Sequence, residues 1–388
     1  MLPGYLAATF YFIGRIDPFV IFPEKRNGCL VDRKERTEME GIAGSISTVQ
    51  SHGRSSHENN FTIIRFIAAV FVFAGHMGDV LLIQPPLFGE IALHELGARM
   101  LFMLGGYLIT MSWLSDPNPL RYAIRRFFRL WPPFAVCVLL TTFVAGPLLS
   151  EYGVQGYFQN NYKMYLLNLR FFIVFYQPGV FLHTPIPNTT NGSFWTMPVE
   201  AALYVVTPLL LSALRVRRKH KSFFIPMAVL TGAAVAFDIV LRVFFHNSRV
   251  VFYGTELISA YHLVVFYIIG IFFTCEEVKK HLNMQIGCIA VSALFLFQLA
   301  SPALQYLLLY MVFPYLIFSL VFAPNPVFSR FGKKIELSDG IYLYATSILS
   351  TVSAGSSGRC SSPSSCQNAL NSGPSPCYNR CKRKSRRY

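Results

Sequence analysis

The sequence predicts an all-α, polytopic transmembrane bundle of about nine to ten helices, and three observations predict it. Hydrophobic residues make up 53% of the 388-residue chain and charged residues only 14%, too little charge to cover the surface of a water-soluble domain of this length. From Phe61 onward the chain is a succession of apolar segments of about 17 to 24 residues, each long enough at 1.5 Å per residue to cross a hydrocarbon core of roughly 30 Å. The 34 Lys and Arg against 19 Asp and Glu, a net charge of +15, collect in short blocks between those segments, as cytoplasmic loops do under the positive-inside rule. The expected partner is therefore the lipid bilayer, and nucleic acid is not expected.

Residues 1–60 read as an N-terminal extension. Met1 to Phe22 is apolar, but Arg15 and Asp17 interrupt it and no basic region precedes it, which speaks against a signal peptide and for a weakly amphipathic or poorly ordered segment. The polar stretch after it reads as a linker. The membrane domain is expected over 61–352, with spans at 61–84, 91–113, 131–150, 195–214, 223–241, 257–274, 284–300, 303–323 and 335–352. A further apolar stretch, 164–182, holds Asn168, Arg170, Gln177, Pro178 and Gly179 and is expected to be re-entrant or interfacial. With the start of the first span in the cytoplasm, Arg121 to Arg129, Arg215 to Lys221, Lys279 and Lys280, and Arg330 to Lys334 all fall inside. That parity requires 164–182 not to cross. The outer side then carries a long loop at 151–194, a length that marks function or disorder, and the expected location is a plasma membrane of the bacterial inner type with the N-terminus cytoplasmic. Asn188 and Asn191 stand in glycosylation sequons that arise easily by chance in an Asn-rich loop.

After Tyr344 the apolar run gives way to Thr, Ser and then a polar tail, so the final helix is expected to be incomplete. Residues 353–388 are basic, Ser- and Cys-rich and free of acidic residues, and read as disordered or out-of-frame sequence. The eight cysteines lack Cys-x-x-Cys pairing and form no disulfide framework.

Chemistry is expected where polar residues interrupt apolar spans. There is no Walker loop or dinucleotide fingerprint, and His94-Glu95 lacks the second His of a zinc-binding motif. An ionisable residue at bilayer depth costs about 2.5 to 3.5 kcal/mol on insertion scales and marks function by default. Arg65 and His76 are eleven residues apart, which returns to nearly the same helix face about 16 Å along the axis. Both would face one lumen, unless Arg65 snorkels to the headgroups and His76 is a bonded core histidine. Glu200 follows Trp195 at the outer end of a span and could orient a His, bind a polar acceptor or pair with a basic neighbour. Arg125, Arg126 and Arg129 form a third cluster; they can be a topogenic block, but Arg126 and Arg129 share a helix face and could hold phosphates.

Five motifs in order carry a family resemblance. Asn60-Phe-Thr-Ile-Ile-Arg65, closing with Gly75-His76, resembles the opening helix of the acyltransferase-3 family of multi-pass membrane O-acyltransferases. Leu101-Phe-Met-Leu-Gly-Gly-Tyr-Leu-Ile-Thr110 is similar to that family's Phe-Phe-x-x-Ser-Gly-Tyr-Leu-Ile, with Gly105 where Ser is usual. Arg125-Arg-Phe-Phe-Arg-Leu-Trp-Pro-Pro133, Phe194-Trp-Thr-Met-Pro-Val-Glu200 with Tyr204 and Pro208, and Gly340-Ile-Tyr-Leu-Tyr344 complete the series.

The resemblance implies an acyl transfer, commonly of acetyl from acetyl-CoA, to a hydroxyl of a cell-surface glycan, glycolipid or related acceptor. It implies catalytic roles for His76, Arg65 and Glu200, and a CoA-binding role for Arg126 and Arg129 with Arg125 beside them. Trp195 and Tyr204 are expected at the substrate. Acyl-CoA would be a donor substrate, with no tightly bound cofactor and no metal. His76 would act as base toward the acceptor alcohol, as a histidine near neutral pKa can, and arginines suit the phosphates of CoA. The rival readings are a degenerate, inactive homologue and a secondary transporter; the latter expects two similar halves, and no internal repeat is visible.

Overall fold

A computed structural model describes residues 60–81, 87–88, 91–182, 187–214, 223–245, 248–296, 302–323, 338 and 340–344. The N-terminal extension up to residue 59, the tail 353–388, the basic stretches 215–221 and 330–334 and most of the last expected span lie outside the described residues. In chain order the helices are α1 (Phe61–Leu81), α2 (Leu93–Ser115), α3 (Pro119–Leu140), which runs through a π-helical turn (Thr141–Ala145) into α4 (Gly146–Leu149), α5 (Gly153–Gln159), α6 (Met197–Ala213), α7 (Phe224–Phe244), α8 (Leu257–Phe272), α9 (Glu276–Lys279), α10 (Met284–Leu296) and α11 (Pro302–Phe322). Tyr162–Arg170 and Gly192–Thr196 form 3-10 helices. The strands are two short antiparallel ladders, Leu87–Phe88 (β1) with Ile91–Ala92 (β2) and Val251–Phe252 (β3) with Thr255–Glu256 (β4). The chain is thus all-α in architecture, as expected.

Four stretches are long and apolar enough to cross a membrane: Phe61–Gly78, Pro119–Leu149, Gly192–Ala213 and Phe224–Phe244. The expected nine to ten is not reached among the described residues: Leu257–Phe272 and Leu309–Phe322 are shorter apolar helices, the helices Leu93–Ser115 and Met284–Leu296 at the expected spans 91–113 and 284–300 are not among the four, and the last span is described only at 338 and 340–344. Large apolar side chains stand exposed on the outer faces of these helices, among them Phe127, Phe128 and Leu148 on the second of the four stretches and Val205, Leu209, Ile225 and Phe244 further on. Such a surface suits lipid and would be a liability in water.

The third expected span begins at Pro119 rather than at 131. Asn118 accepts a hydrogen bond from the Arg121 backbone and Pro119 occupies the first turn, a start signal the sequence contains in full. The basic block Arg121 to Arg129 is therefore part of the helix itself. At its other end the π-helical turn frees carbonyls, and Thr141 and Thr142 hydroxyls bond back to Cys137 and Val138 at 2.7 Å while the Tyr157 hydroxyl donates to the Thr142 carbonyl at 2.9 Å.

The core is centred on α2, which lies between α1 and α8. Met100, Met103 and Leu104 of α2 pack with Phe266 and Ile269 of α8 and with Phe313 and Phe318 of α11. Small residues let the backbones meet: a Cβ added at Gly106 would stand 2.1 Å from the Tyr267 carbonyl oxygen, so α2 and α8 touch main chain to main chain. The start of α1 closes on the end of α11, where Asn60 donates from its backbone to Val321 and from Nδ2 to the carbonyls of Leu320 and Ala323 at 2.8 and 3.0 Å. These carbonyls belong to the last turn and would otherwise lack partners.

The stretch 164–182 begins in a 3-10 helix and continues without regular structure, in keeping with the expectation that it is not an ordinary span. Asn168, fully buried, holds it together by bonding to Tyr165 and Val174, and Phe171 stacks on Phe134 of α3 at 5.6 Å. Asn191, the second sequon asparagine, is buried and gives its Nδ2 to the Leu343 carbonyl at 2.6 Å, so it is not a glycosylation site in this fold.

Candidate functional site

A cavity of about 910 Å³, its open mouth included, lies between α1, α2, α3, α6 and α8. Each wall is one face of a helix. From α2 come Leu101, Phe102, Gly105, Leu108 and Ile109, from α3 Arg126, Arg129, Leu130 and Pro133, and from α6 and the turn before it Thr196, Met197, Glu200 and Tyr204. All three sets recur at three- and four-residue spacing, the period of a helix face. Arg65 of α1, Tyr267 of α8, and Tyr342 and Leu343 complete the lining. The α2 wall is wholly apolar, and the polar groups face it from the other elements.

Of the residues singled out from sequence, Arg65, Arg126, Arg129, Glu200 and Tyr204 converge here. Tyr204 donates its hydroxyl to Glu200 one helical turn away. The Tyr122 hydroxyl fixes α3 to α6 by donating to the Tyr204 carbonyl at 2.9 Å. The Arg126 guanidinium lies over the rings of both Tyr122 and Tyr204 at 5.7 Å, a cation–π setting that orients the planar group without using its donors. Its Nη2 donates to Ser112 at 3.2 Å, and its buried Nε has no hydrogen-bond partner among the described residues. Three arginines against one carboxylate leave the cavity with an excess of positive charge.

His76, Arg125 and Trp195 do not line it. His76 lies about 16 Å beyond Arg65 along α1, where its ring stacks on His94 with centroids 4.6 Å apart and planes 14° apart. The packing is local in cause: a Cβ at Gly75 would meet the His94 backbone nitrogen at 2.3 Å, so the glycine lets the end of α1 touch the start of α2. Arg125 points to Asp116, with Nη1 to Oδ2 at 3.0 Å. Trp195 packs with the cluster around Val199 and Leu203, and its carbonyl accepts from Thr255 Oγ1 at 3.0 Å.

Sequence reasoning missed Thr196, Tyr267 and Tyr342 as lining residues. The Thr196 and Tyr342 hydroxyls bond at 2.6 Å and those of Thr207 and Tyr267 at 2.7 Å. Hydroxyls inside apolar spans carry no strong signal on their own. A second polar cluster was also missed. Asp238 of α7, fully buried, accepts from Arg242 Nε at 3.1 Å and from the Tyr310 hydroxyl, and meets His262 Nδ1 at 2.5 Å. The rule that flagged Arg65 and Glu200 applies equally to Asp238 and His262 and would have found them.

An acyltransferase-domain family model matches residues 58–353. The chain is 25% identical over 184 residues to an O-acetyl transferase of Shigella phage Sf6, covering 46% of this chain and 53% of that protein. It is 26% identical over 192 residues to Nodulation protein 10 of Rhizobium leguminosarum bv. viciae, covering 47% of this chain and 52% of that one. The chain spans about half the length of the curated relatives it matches. No solved structure matches it.

Proposed function

The chain belongs to the acyltransferase family whose model covers it from residue 58 to 353, and from that premise we propose that it is an integral membrane O-acyltransferase. It takes an acyl group, acetyl in the first instance, from acyl-CoA and places it on a hydroxyl of a cell-surface glycan or glycolipid. The observation that carries this reading is the cavity in which Arg65, Arg126 and Arg129 meet Glu200 and Tyr204 across an apolar wall. An anionic head and an uncharged arm are the two halves of a CoA thioester, and guanidinium forks are suited to its phosphates. The O-acetyl transferase name of one relative supports acetyl as the group moved.

In this reading Arg126 and Arg129 hold the phosphates and Arg65 steadies the donor. His76 takes the proton of the acceptor hydroxyl as its oxygen attacks the thioester carbonyl. The carbon–sulfur bond breaks, the ester leaves on the acceptor, and the CoA sulfur takes up a proton and departs as the thiol. The pantetheine arm separates phosphates from thioester, so a base remote from the arginines is what the donor requires. Glu200 orients the bound groups through Tyr204. The start of α1 faces the cytoplasm of the plasma membrane, and 61–352 is the membrane domain.

The test is transfer of label from radiolabelled acetyl-CoA to the glycan and lipid fractions of membranes containing this chain. His76→Ala abolishes that transfer with membrane insertion intact; full transfer by this variant would falsify the assignment of the base.

A further inference from the structure

A histidine works as a base only when its lone pair, which lies in the plane of the imidazole, points at the proton it takes. The torsion that turns that plane is broad in histidine, so the side chain's own rotamer does not fix it. His76 stands near the end of α1 and lines no wall of the cavity, so the cavity does not set its plane either. The ring that lies flat against it is His94, with centroids 4.6 Å apart and planes 14° apart. That is the close end of the range for stacked aromatic rings.

The place of His94 is set from several directions. A Cβ at Gly75 would meet its backbone nitrogen at 2.3 Å, and further along α2 a Cβ at Gly97 would stand 2.5 Å from the Ala68 carbonyl oxygen. The two main chains are therefore in contact on both sides of the stacked pair. Ile91–Ala92, just before α2, is laddered to Leu87–Phe88, and Glu95, just after His94, is tied to Arg99 Nη2 at 2.8 Å. Nothing local asks for histidine at this position. It is a middling helix former, and a basic side chain in a first turn runs against the helix dipole.

We propose that His94 is the positioning residue of the acyl-transfer base: the face of its ring holds the plane of His76, so that the lone pair of the base points at the acceptor hydroxyl. The inference rests on the reading of His76 as base given above. His94 itself moves no proton; it acts through His76.

The test is transfer of label from radiolabelled acetyl-CoA by membranes containing the full chain, measured per folded chain at varied acetyl-CoA, for His94→Leu and His94→Phe. Leucine fills the space without a flat face, and phenylalanine keeps the face without the nitrogens. His94→Leu lowers kcat by about tenfold to a hundredfold, the effect of a misaimed catalytic group, and moves KM for acetyl-CoA by about twofold or less. His94→Phe keeps kcat within about threefold of the native value, because a stacked ring is restored. His94→Ala takes the place of the leucine variant if that one does not fold. A leucine variant that melts earlier but keeps the native kcat would show packing alone and overturn the proposal, as would a phenylalanine variant as slow as the leucine one. Loss of transfer with His76→Ala and none with His94→Leu removes the proposal alone. Full transfer with His76→Ala removes the base reading itself, and this inference with it.

Discussion

Asp238 Oδ1 meets His262 Nδ1 at 2.5 Å, joining α7 to α8, while Oδ2 of the same carboxylate accepts from Arg242 and from Tyr310 of α11. The helix that carries Asp238 is the least buried of the four long apolar stretches, and its buried residues are Met227, Ala234 and Asp238. A helix with so little apolar contact to the bundle depends on this polar knot for its place, since lipid competes on equal terms for its remaining face.

Asp238→Ala leaves His262, Arg242 and Tyr310 without their common acceptor. Breaking a buried pair by removing one member costs about 3 to 5 kcal/mol, so the thermal midpoint of the detergent-solubilised chain falls. Asp238→Asn, which keeps an acceptor oxygen, falls less. A midpoint unmoved by the alanine variant would mean that α7 is held some other way.

Arg126 and Arg125 are neighbours with different surroundings, one over two tyrosine rings in the cavity and the other paired with Asp116. Losing a charged hydrogen-bonding partner costs about 1.5 to 3 kcal/mol, so Arg126→Ala weakens acyl-CoA binding roughly tenfold or more. Arg125→Ala changes it by about twofold or less, as an exposed ion pair would. Titration calorimetry with CoA compares them, and equal losses would count against the cavity as the phosphate site.

Gly106→Ala drives a methyl group into the Tyr267 main chain and separates α2 from α8. Overpacking of this kind costs about 1 to 3 kcal/mol. Gly105→Ala meets no such obstacle and gains up to about 1 kcal/mol from the restricted unfolded chain. The two variants should move the unfolding midpoint in opposite directions; movement of both downward would contradict the spacing between the helices.

Cys275 lies just past the end of α8 and is buried, and burial, with Glu277 beside it, pushes its thiol up to about 12. Only the thiolate alkylates, so at pH 8 the reactive fraction is about one in ten thousand. Its labelling by iodoacetamide, read by mass spectrometry, is slower than that of an unhindered thiol by about three orders of magnitude. The rate rises as pH is raised from 8 to 10, because the proton is lost from a group whose pKa stands above both values. Rapid labelling at pH 8 would show the turn to be open.

The helices and the cavity were legible in the sequence to different degrees. The apolar runs and the three-residue spacing of Arg126 with Arg129 were visible because one helix imposes its own period. The true start of α3 was readable too, in Asn118-Pro119, but the basic block after it resembles a loop when charge alone is weighed. Arginines can enter a span when they turn inward, as Arg126 and Arg129 do, or when they stay near its end beside a carboxylate, as Arg121 and Arg125 do with Asp116. Only Arg65 of the pair expected to face one lumen lines the cavity, although the distance of His76 from it followed from the eleven-residue rise. Its pairing with His94 did not, for it depends on how closely α1 and α2 approach at Gly75. The partners of Tyr342 and Asp238 come from distant elements, and no local period encodes them.

The cavity draws one wall from Arg65 and another from Tyr342 and Leu343, which lie near opposite ends of the described chain, and Asn191 and Thr196 hold the latter pair in place. During synthesis, therefore, early helices can insert and pair while the pocket still lacks a side. Closing it is a long-range event that waits for the last of these segments to leave the ribosome. A shortened product lacking residues 340–344 would be a membrane protein with its arginines in place and its pocket open.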